Sequence, residues 1–139
     1  MIFVDTWAWI AIFDDTDQYH QPAEKAHRDF QKRRRKYVTT DFILNELINY
    51  LYQAASADKA QVTINTLLAR ADSGVQLLVH VSPQQFRSAW QLRQKYKDKP
   101  DISFTDFTSM VVMQDLGITD VFTGDAHFQQ VNLGFRLLP

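Results

Sequence analysis

Four acidic residues, Asp5, Glu46, Asp106 and Asp125, are far apart in the 139-residue chain, yet each lies at or near the start of a helix-like segment. Asp5 follows the apolar run Met1 to Val4, and Glu46 sits a turn into the apolar segment Phe42 to Ile48. Asp106 stands in the first turn after Ser103, and Asp125 follows Asp120 to Gly124. In an open parallel α/β sheet, ligands bind in the crevice outside the carboxyl ends of the strands. Four carboxylates gathered there repel one another unless a positive charge lies between them. Hard divalent cations such as Mg²⁺ or Mn²⁺ suit oxygen ligands of this kind and usually act on phosphates. The chemistry this set suits is metal-dependent phosphodiester hydrolysis.

Each acid also has an ordinary structural role available. Ser103 and Asp106 have the spacing of an aspartate version of the capping box, and Asp125 is placed to cap the short helix after it. Asp5 and Glu46 are harder to explain that way. Asp5 is expected to be partly buried at the sheet edge, and a buried carboxylate is costly unless a cation or strong donors stand beside it. Glu46 interrupts an otherwise apolar helix between Leu44 and Leu47. Four independent caps at one sheet edge are a poorer account than one shared site.

The other reactive residue types point elsewhere. His20, His27, His80 and His127 lack the short-range pairing of a zinc motif. His80 is expected to be a satisfied core residue within a strand, and His127, two residues after Asp125, is close enough to help bind phosphate. The four glycines form no nucleotide-binding loop, and there is no Gly-x-Ser-x-Gly elbow.

The elements that must position these acids alternate. Strand-like runs are Ile2 to Asp5, Tyr37 to Thr39, Val75 to Val81, Asp120 to Thr123 and Phe135 to Leu138. Helical patterns cover Trp7 to Phe13, Pro22 to Arg34, Phe42 to Ala55, Lys59 to Ala71, Pro83 to Tyr96, Thr105 to Leu116 and, briefly, Ala126 to Val131. The alternation predicts an α/β fold with a central, mostly parallel sheet of four to five strands and helices on both faces. Ser82-Pro83 reads as a helix start and Gly117 as a helix end. The stripe Phe42, Leu44, Leu47, Ile48 and Leu51 is wide enough to predict a homodimer contact as well as core packing.

Composition sets the outer limits. A chain of this length, 45% hydrophobic and 22% charged, fits a single domain over residues 1–139. No apolar run approaches the roughly 20 residues of a membrane span. The absence of cysteine is compatible with a reducing compartment, so a cytoplasmic protein without a membrane partner is expected. The net charge of −1 argues against a global positive field for nucleic acid, but the charges are segregated. Lys32 to Lys36, which contains Arg33, Arg34 and Arg35, and a second stretch from Arg93 to Lys99, which contains Lys97, are basic. Such runs are commonly solvated helix ends. A contact with an RNA backbone is the sharper reading.

Taken together, Val4-Asp5-Thr6-Trp7, Thr40 to Glu46, Ser103-Phe104-Thr105-Asp106 and Thr123-Gly124-Asp125-Ala126-His127-Phe128 resemble a PIN domain, most closely the toxin subunits of VapBC toxin-antitoxin systems. The matching segments span almost the whole chain and keep the family's order and spacing. The resemblance implies a three-layer PIN-like fold and a Mg²⁺- or Mn²⁺-dependent endoribonuclease whose acidic centre is Asp5, Glu46, Asp106 and Asp125. It implies an RNA substrate and a small antitoxin partner. Thr6 and Thr123 fall where the family often carries a supporting hydroxyl. Asp101 is an additional acid, read as an outer residue of the site.

Two alternatives compete. One is a PIN-type RNA-processing nuclease with no antitoxin, and the other is a non-catalytic α/β interaction module. A receiver domain in particular needs paired acids after its first strand and a lysine near the end of its last. Asp5 stands without such a pair, and the last lysine is Lys99.

Overall fold

A computed structural model describes residues 1–139. The chain runs β1 (Ile2–Val4), α1 (Thr6–Phe13), α2 (His20–Lys32), β2 (Tyr37–Thr40), α3 (Asp41–Ala54) and α4 (Ala57–Asp72). It continues through β3 (Leu77–Val79), α5 (Pro83–Lys95), α6 (Phe104–Leu116), β4 (Asp120–Phe122), α7 (His127–Gln130) and β5 (Arg136–Leu138). The five strands pair in the order β3-β2-β1-β4-β5, and every pairing is parallel. In β1 the register sets Phe3 opposite both Val38 and Val121.

All residues of β1, β2 and β4 are buried. Successive strand side chains point to opposite faces, so a strand buried at every position has helices above and below it. The core that results includes Phe3, Trp9, Phe107, Phe122 and Phe128, all essentially inaccessible. Truncating one such ring to alanine costs about 3–5 kcal/mol.

Local chemistry sets the helix boundaries. The Thr40 hydroxyl accepts from Ile43 N at 3.1 Å, which starts α3 at Asp41. Ser82 and Gln85 form a reciprocal capping box at the start of α5, with Pro83 in the first turn. Gly117, at φ +66°, ends α6 in the left-handed conformation that a glycine adopts at little cost. Helix α6 is buried continuously from Asp106 to Met113 and packs against α5 and α3, so Asp106 is carried toward the interior from its first turn.

Two expectations change. The strand expected over Val75 to Val81 pairs only at Leu77 to Val79, because its neighbour β2 ends at Thr40, the partner of Val79. His80 therefore lies beyond the ladder. It is exposed, with Nδ1 3.5 Å from Asp41 Oδ2, and is not a core histidine. The apolar width of α3 also has an internal explanation. Ile43, Leu44, Leu47 and Leu51 are buried in the chain's own core, and Tyr52 is the large side chain of that helix left exposed.

The opposite end of the sheet has its own polar lock. Asp120, at the start of β4, accepts from Arg35 at 2.8 Å and from Arg136 Nε at 2.7 Å, tying the segment before β2 to β4 and β5. No helix is long and apolar enough to cross a membrane.

Candidate active site

Four elements deliver the acids to one end of the sheet. Asp5 leaves the carboxyl end of β1 and occupies the N-cap position of α1, yet its side chain makes no capping bond. Its Oδ2 instead accepts from the Thr123 hydroxyl at 2.8 Å. Glu46 projects from α3, and Oε1 accepts from the Thr6 hydroxyl at 2.6 Å. Asp106 belongs to a true capping box: its N–H donates to Ser103 Oγ at 3.0 Å, and its Oδ2 accepts from Ser103 N at 3.2 Å. Asp125 Oδ1 accepts from His127 N at 3.0 Å, and the N–H of Asp125 donates to Thr123 Oγ1 at 3.0 Å. The capping role expected of Asp106 is present, whereas the N-cap of α7 is Ala126 and Asp125, one residue earlier, accepts from His127 N. Both arrangements leave carboxylate oxygens facing the cleft.

A cleft of about 340 Å³ opens here, with Asp5, Glu46, Asp101, Asp106, Asp125 and His127 in its lining. A larger cleft, about 790 Å³, runs along α2 to Leu138, but its charged lining is the solvent face of one helix, with Arg28 paired to Glu24. The smaller cleft holds the convergent chemistry.

The electrostatics show what that convergence costs. Asp5 is 4% exposed, and burial, reinforced by the charge of Asp106, pushes its carboxyl up to about 7 against the Thr123 hydrogen bond that favours the ionised form. Burial raises Asp106 as well, opposed by hydrogen bonds from His127 and from Ser103. Glu46 is raised by burial and by Asp106, with the Thr6 bond opposing. Three carboxyls shifted upward around one cleft describe a centre short of positive charge. Oxygen donors in that condition fit a hard divalent cation, whose charge reverses each of these shifts.

The sequence of this chain matches the PIN domain over residues 2–133. The chain belongs to the PIN domain family. At 26% identity over 132 residues, covering 92% of both chains, this PIN domain is similar to the 23S rRNA-specific endonuclease VapC20 of Mycobacterium tuberculosis, in strains CDC 1551 / Oshkosh and ATCC 25618 / H37Rv alike. The crystal structure of that VapC20, described as a Sarcin-Ricin loop cleaving toxin, superposes with a TM-score of 0.81 at 26% identity over 95% of each chain. Two DNA-bound complexes share the fold over 99% of this chain and 98% of theirs: VapBC2 of Rickettsia felis, with a TM-score of 0.73 and 13% identity, and VapBC of Salmonella typhimurium, with 0.71 and 14%. The parallel five-stranded sheet of this PIN domain is the α/β architecture of those proteins.

Within the PIN domain, the residues singled out from sequence divide into two groups. Asp5, Thr6, Glu46, Asp101, Asp106 and Asp125 line one cleft, and Thr123 lies directly behind Asp5. Asp101 is exposed at its rim. Lys97 is exposed in the segment that leads to Asp101, beside Trp90, Gln94 and Pro100. The run Arg33 to Arg35 lies elsewhere, ahead of β2 and thus at the amino edge of the sheet, whereas the carboxylates follow the carboxyl ends of β1 and β4. Arg33 pairs with Asp29 at 3.3 Å, Arg35 is committed to Asp120, and Arg34 is exposed.

Three roles were not read from sequence. Asp120 was only the start of a strand. Arg93, taken as part of a basic stretch, donates to the carbonyls of Tyr96, Lys99 and Ile102 and lies over the Phe107 ring at 4.8 Å, pinning the loop that carries Asp101. His127 is the third: Nδ1 lies 2.9 Å from Asp106 Oδ2 and 3.0 Å from Asp125 Oδ2. The signal for His127 was its spacing of two from Asp125, since an aspartate that caps the residue two ahead brings that side chain to its own carboxylate.

Proposed function

We propose that this PIN domain, one nuclease domain over residues 1–139, is a Mg²⁺- or Mn²⁺-dependent endoribonuclease. We read it as the toxin of a type II toxin-antitoxin pair acting in the cytoplasm. The observation that carries the reading is the burial of Asp5 near Asp106 and Glu46 in an open cleft, an arrangement whose repulsion is relieved by a proton on Asp5 or by a cation among the carboxylates. A divalent cation held here would supply Lewis-acid charge for activating a water and for offsetting negative charge on the scissile phosphate. Asp5, Asp106 and Asp125, with Glu46, are the residues to hold it. Thr123 and Thr6 fix the rotamers of Asp5 and Glu46, so the oxygens do not reorganise as the reaction proceeds. Asp101 guards the rim, and Lys97 is the basic group best placed to meet an RNA backbone entering there. Arg33 and Arg34 would reach only an RNA that wraps to the other end of the sheet.

The similarity to a protein described as a ribosomal RNA endonuclease and toxin supports an RNA substrate and a protein restraint. A cell that makes such an enzyme must hold it in check, and an antitoxin presenting a basic side chain to this acidic cleft would do so. We also propose a homodimer. Leu44, Leu47 and Leu51 of the α3 stripe are buried internally while Phe42 and Ile48 are only partly covered, and the contact surface would centre on the exposed Phe86 and Trp90 of α5, which are 48% and 53% accessible. Light scattering at two concentrations tests that part.

The central test is cleavage of a ribosomal RNA hairpin of the Sarcin-Ricin type with Mg²⁺, with Mn²⁺ and with excess EDTA, by the wild-type chain and by Asp5→Asn. Cleavage only with a cation, and lost in the variant, is expected. Equal cleavage in EDTA overturns the metal-dependent reading, and a fully active variant removes Asp5 from the centre.

A further inference from the structure

We infer that His127 binds the catalytic cation directly through Nδ1, and that this nitrogen makes the centre prefer Mn²⁺ over Mg²⁺. The inference rests on the metal-dependent reading above and concerns a residue outside the four-carboxylate set. The ring is held from both sides. The backbone N–H of His127 takes Asp125 Oδ1, which leaves Asp125 Oδ2 turned to the imidazole, and Asp106 Oδ2 is fixed by the N–H of Ser103. Nδ1 then stands 2.9 Å from one carboxylate oxygen and 3.0 Å from the other. In an octahedral complex with bonds of about 2.1 Å, neighbouring ligand atoms lie about 3.0 Å apart, so Nδ1 is spaced from both oxygens as one corner of such a complex is from two others. One donor from each of Asp106, Asp125 and His127 falls within 4.8 Å of the rest, close enough to share one ion.

The competing explanation is a hydrogen bond. A single N–H on Nδ1, directed between the two carboxylates, would place the ring where the cation belongs. The ring would then be a competitor to be displaced. Without metal, the contact to Asp106 is a hydrogen bond, and Asp125 Oδ2, at 3.0 Å but outside hydrogen-bond geometry, is left unserved by it, whereas one lone pair serves an ion lying among all three donors. Nε2 makes no hydrogen bond within the protein, so the tautomer with its proton on Nε2 and a free Nδ1 lone pair leaves that N–H to solvent. Imidazole nitrogen binds first-row transition ions better than it binds Mg²⁺, and because Mn²⁺ stands at the weak end of that series the preference it confers is modest.

The two explanations predict opposite signs. Metal-stripped full-length protein is titrated with Mn²⁺ by calorimetry and with Mg²⁺ by competition, and the Mn²⁺ complex is examined by electron spin-echo envelope modulation. If His127 is a ligand, the wild-type spectrum shows coupling to a directly bound imidazole nitrogen, and labelling the histidines with ¹⁵N changes its frequencies without any mutation. His127→Ala then weakens Mn²⁺ at least tenfold and Mg²⁺ by a smaller factor, with Asp106→Asn as the control that empties the site. Bound Mn²⁺ without nitrogen coupling, or tighter binding of both ions in His127→Ala, overturns the inference. It leaves the nuclease reading standing if cation-dependent RNA cleavage persists. Failure of the wild-type chain to bind either ion overturns both.

Discussion

Thr123 donates its hydroxyl proton to Asp5 across 118 residues of sequence at 2.8 Å, and the same oxygen accepts the backbone N–H of Asp125 at 3.0 Å. One hydroxyl thus couples the carboxyl ends of β1 and β4, the two central strands that carry the centre. It orients one carboxylate and fixes the backbone of another.

Thr123→Val keeps the shape and removes both bonds. Outer partners of metal ligands typically contribute about 10–100-fold in affinity, and a fall of that size in Mn²⁺ or Mg²⁺ binding is expected here. Thr123→Ser should recover most of it. Calorimetry on the three proteins decides the matter, and an unchanged dissociation constant in Thr123→Val would detach Thr123 from the centre.

Stability without metal should depend on pH in a direction set by Asp5. Its folded-state pKa, about 7, is above the ordinary 3.8, so the native state holds a proton that the unfolded chain releases. The contribution is complete below about pH 4 and is lost as pH rises through 7, with Glu46 and Asp106 shifted the same way. Asp120 acts in the opposite sense: its hydrogen bond from Arg136 holds it below the usual range, and its stabilisation is lost as pH falls. In EDTA the melting temperature should therefore decline from mildly acidic to alkaline pH. Asp5→Asn should flatten that decline and melt higher than wild type at pH 8, by an amount on the order of a few kcal/mol at most. Added Mn²⁺ should stabilise wild type far more than the variant. A steeper alkaline decline in Asp5→Asn would contradict the assignment.

Gly124 should tolerate no side chain. A Cβ there would overlap the indole of Trp7, which lines the cleft and packs against Tyr19 with ring centroids 5.2 Å apart. Gly124→Ala must push the indole aside, at a cost of about 1–3 kcal/mol typical of overpacking. A lowered melting temperature together with a shift in tryptophan emission is expected. An unshifted emission spectrum would show that the ring does not move.

The basic residues should separate by function. Arg35→Ala leaves Asp120 paired with Arg136 alone and should lower the melting temperature by about 1 kcal/mol's worth of stability, because the charge of Asp120 stays compensated. Lys97→Ala should leave stability unchanged and raise KM for RNA, with the larger effect at low salt. Equal RNA affinity in wild type and Lys97→Ala across salt concentrations would strike Lys97 from the RNA contact.

Much of this was legible from residue order because the site is built at element ends, where local chemistry is strongest. The apolar run ending at Asp5, the Ser103 to Asp106 spacing and the Thr123 to His127 segment each announce a strand end or helix start, and the acids are fixed by those boundaries. What was not legible depends on distant parts of the chain. The end of β3 is set by the length of β2, so His80 could not be placed from its own neighbours. Arg35 looked like one of five equivalent cations until Asp120, 85 positions later, took it as a partner. The breadth of the α3 stripe could not be apportioned from its sequence, because periodicity reveals that a face is apolar but not that Leu44, Leu47 and Leu51 are buried while Phe42 and Ile48 stay half-covered.

The centre of the sheet is assembled from strands far apart in the chain. Strand β1 is made before its sheet neighbour β4, so Asp5 waits for Thr123, Asp125 and His127 until β4 and the segment after it have been made. No truncated nascent chain that stops before β4 carries more than part of the acidic constellation. A chain so built is without its complete acidic centre until β4 and the Thr123 to His127 segment have been made. That delay arises from strand order alone, ahead of any inhibitor.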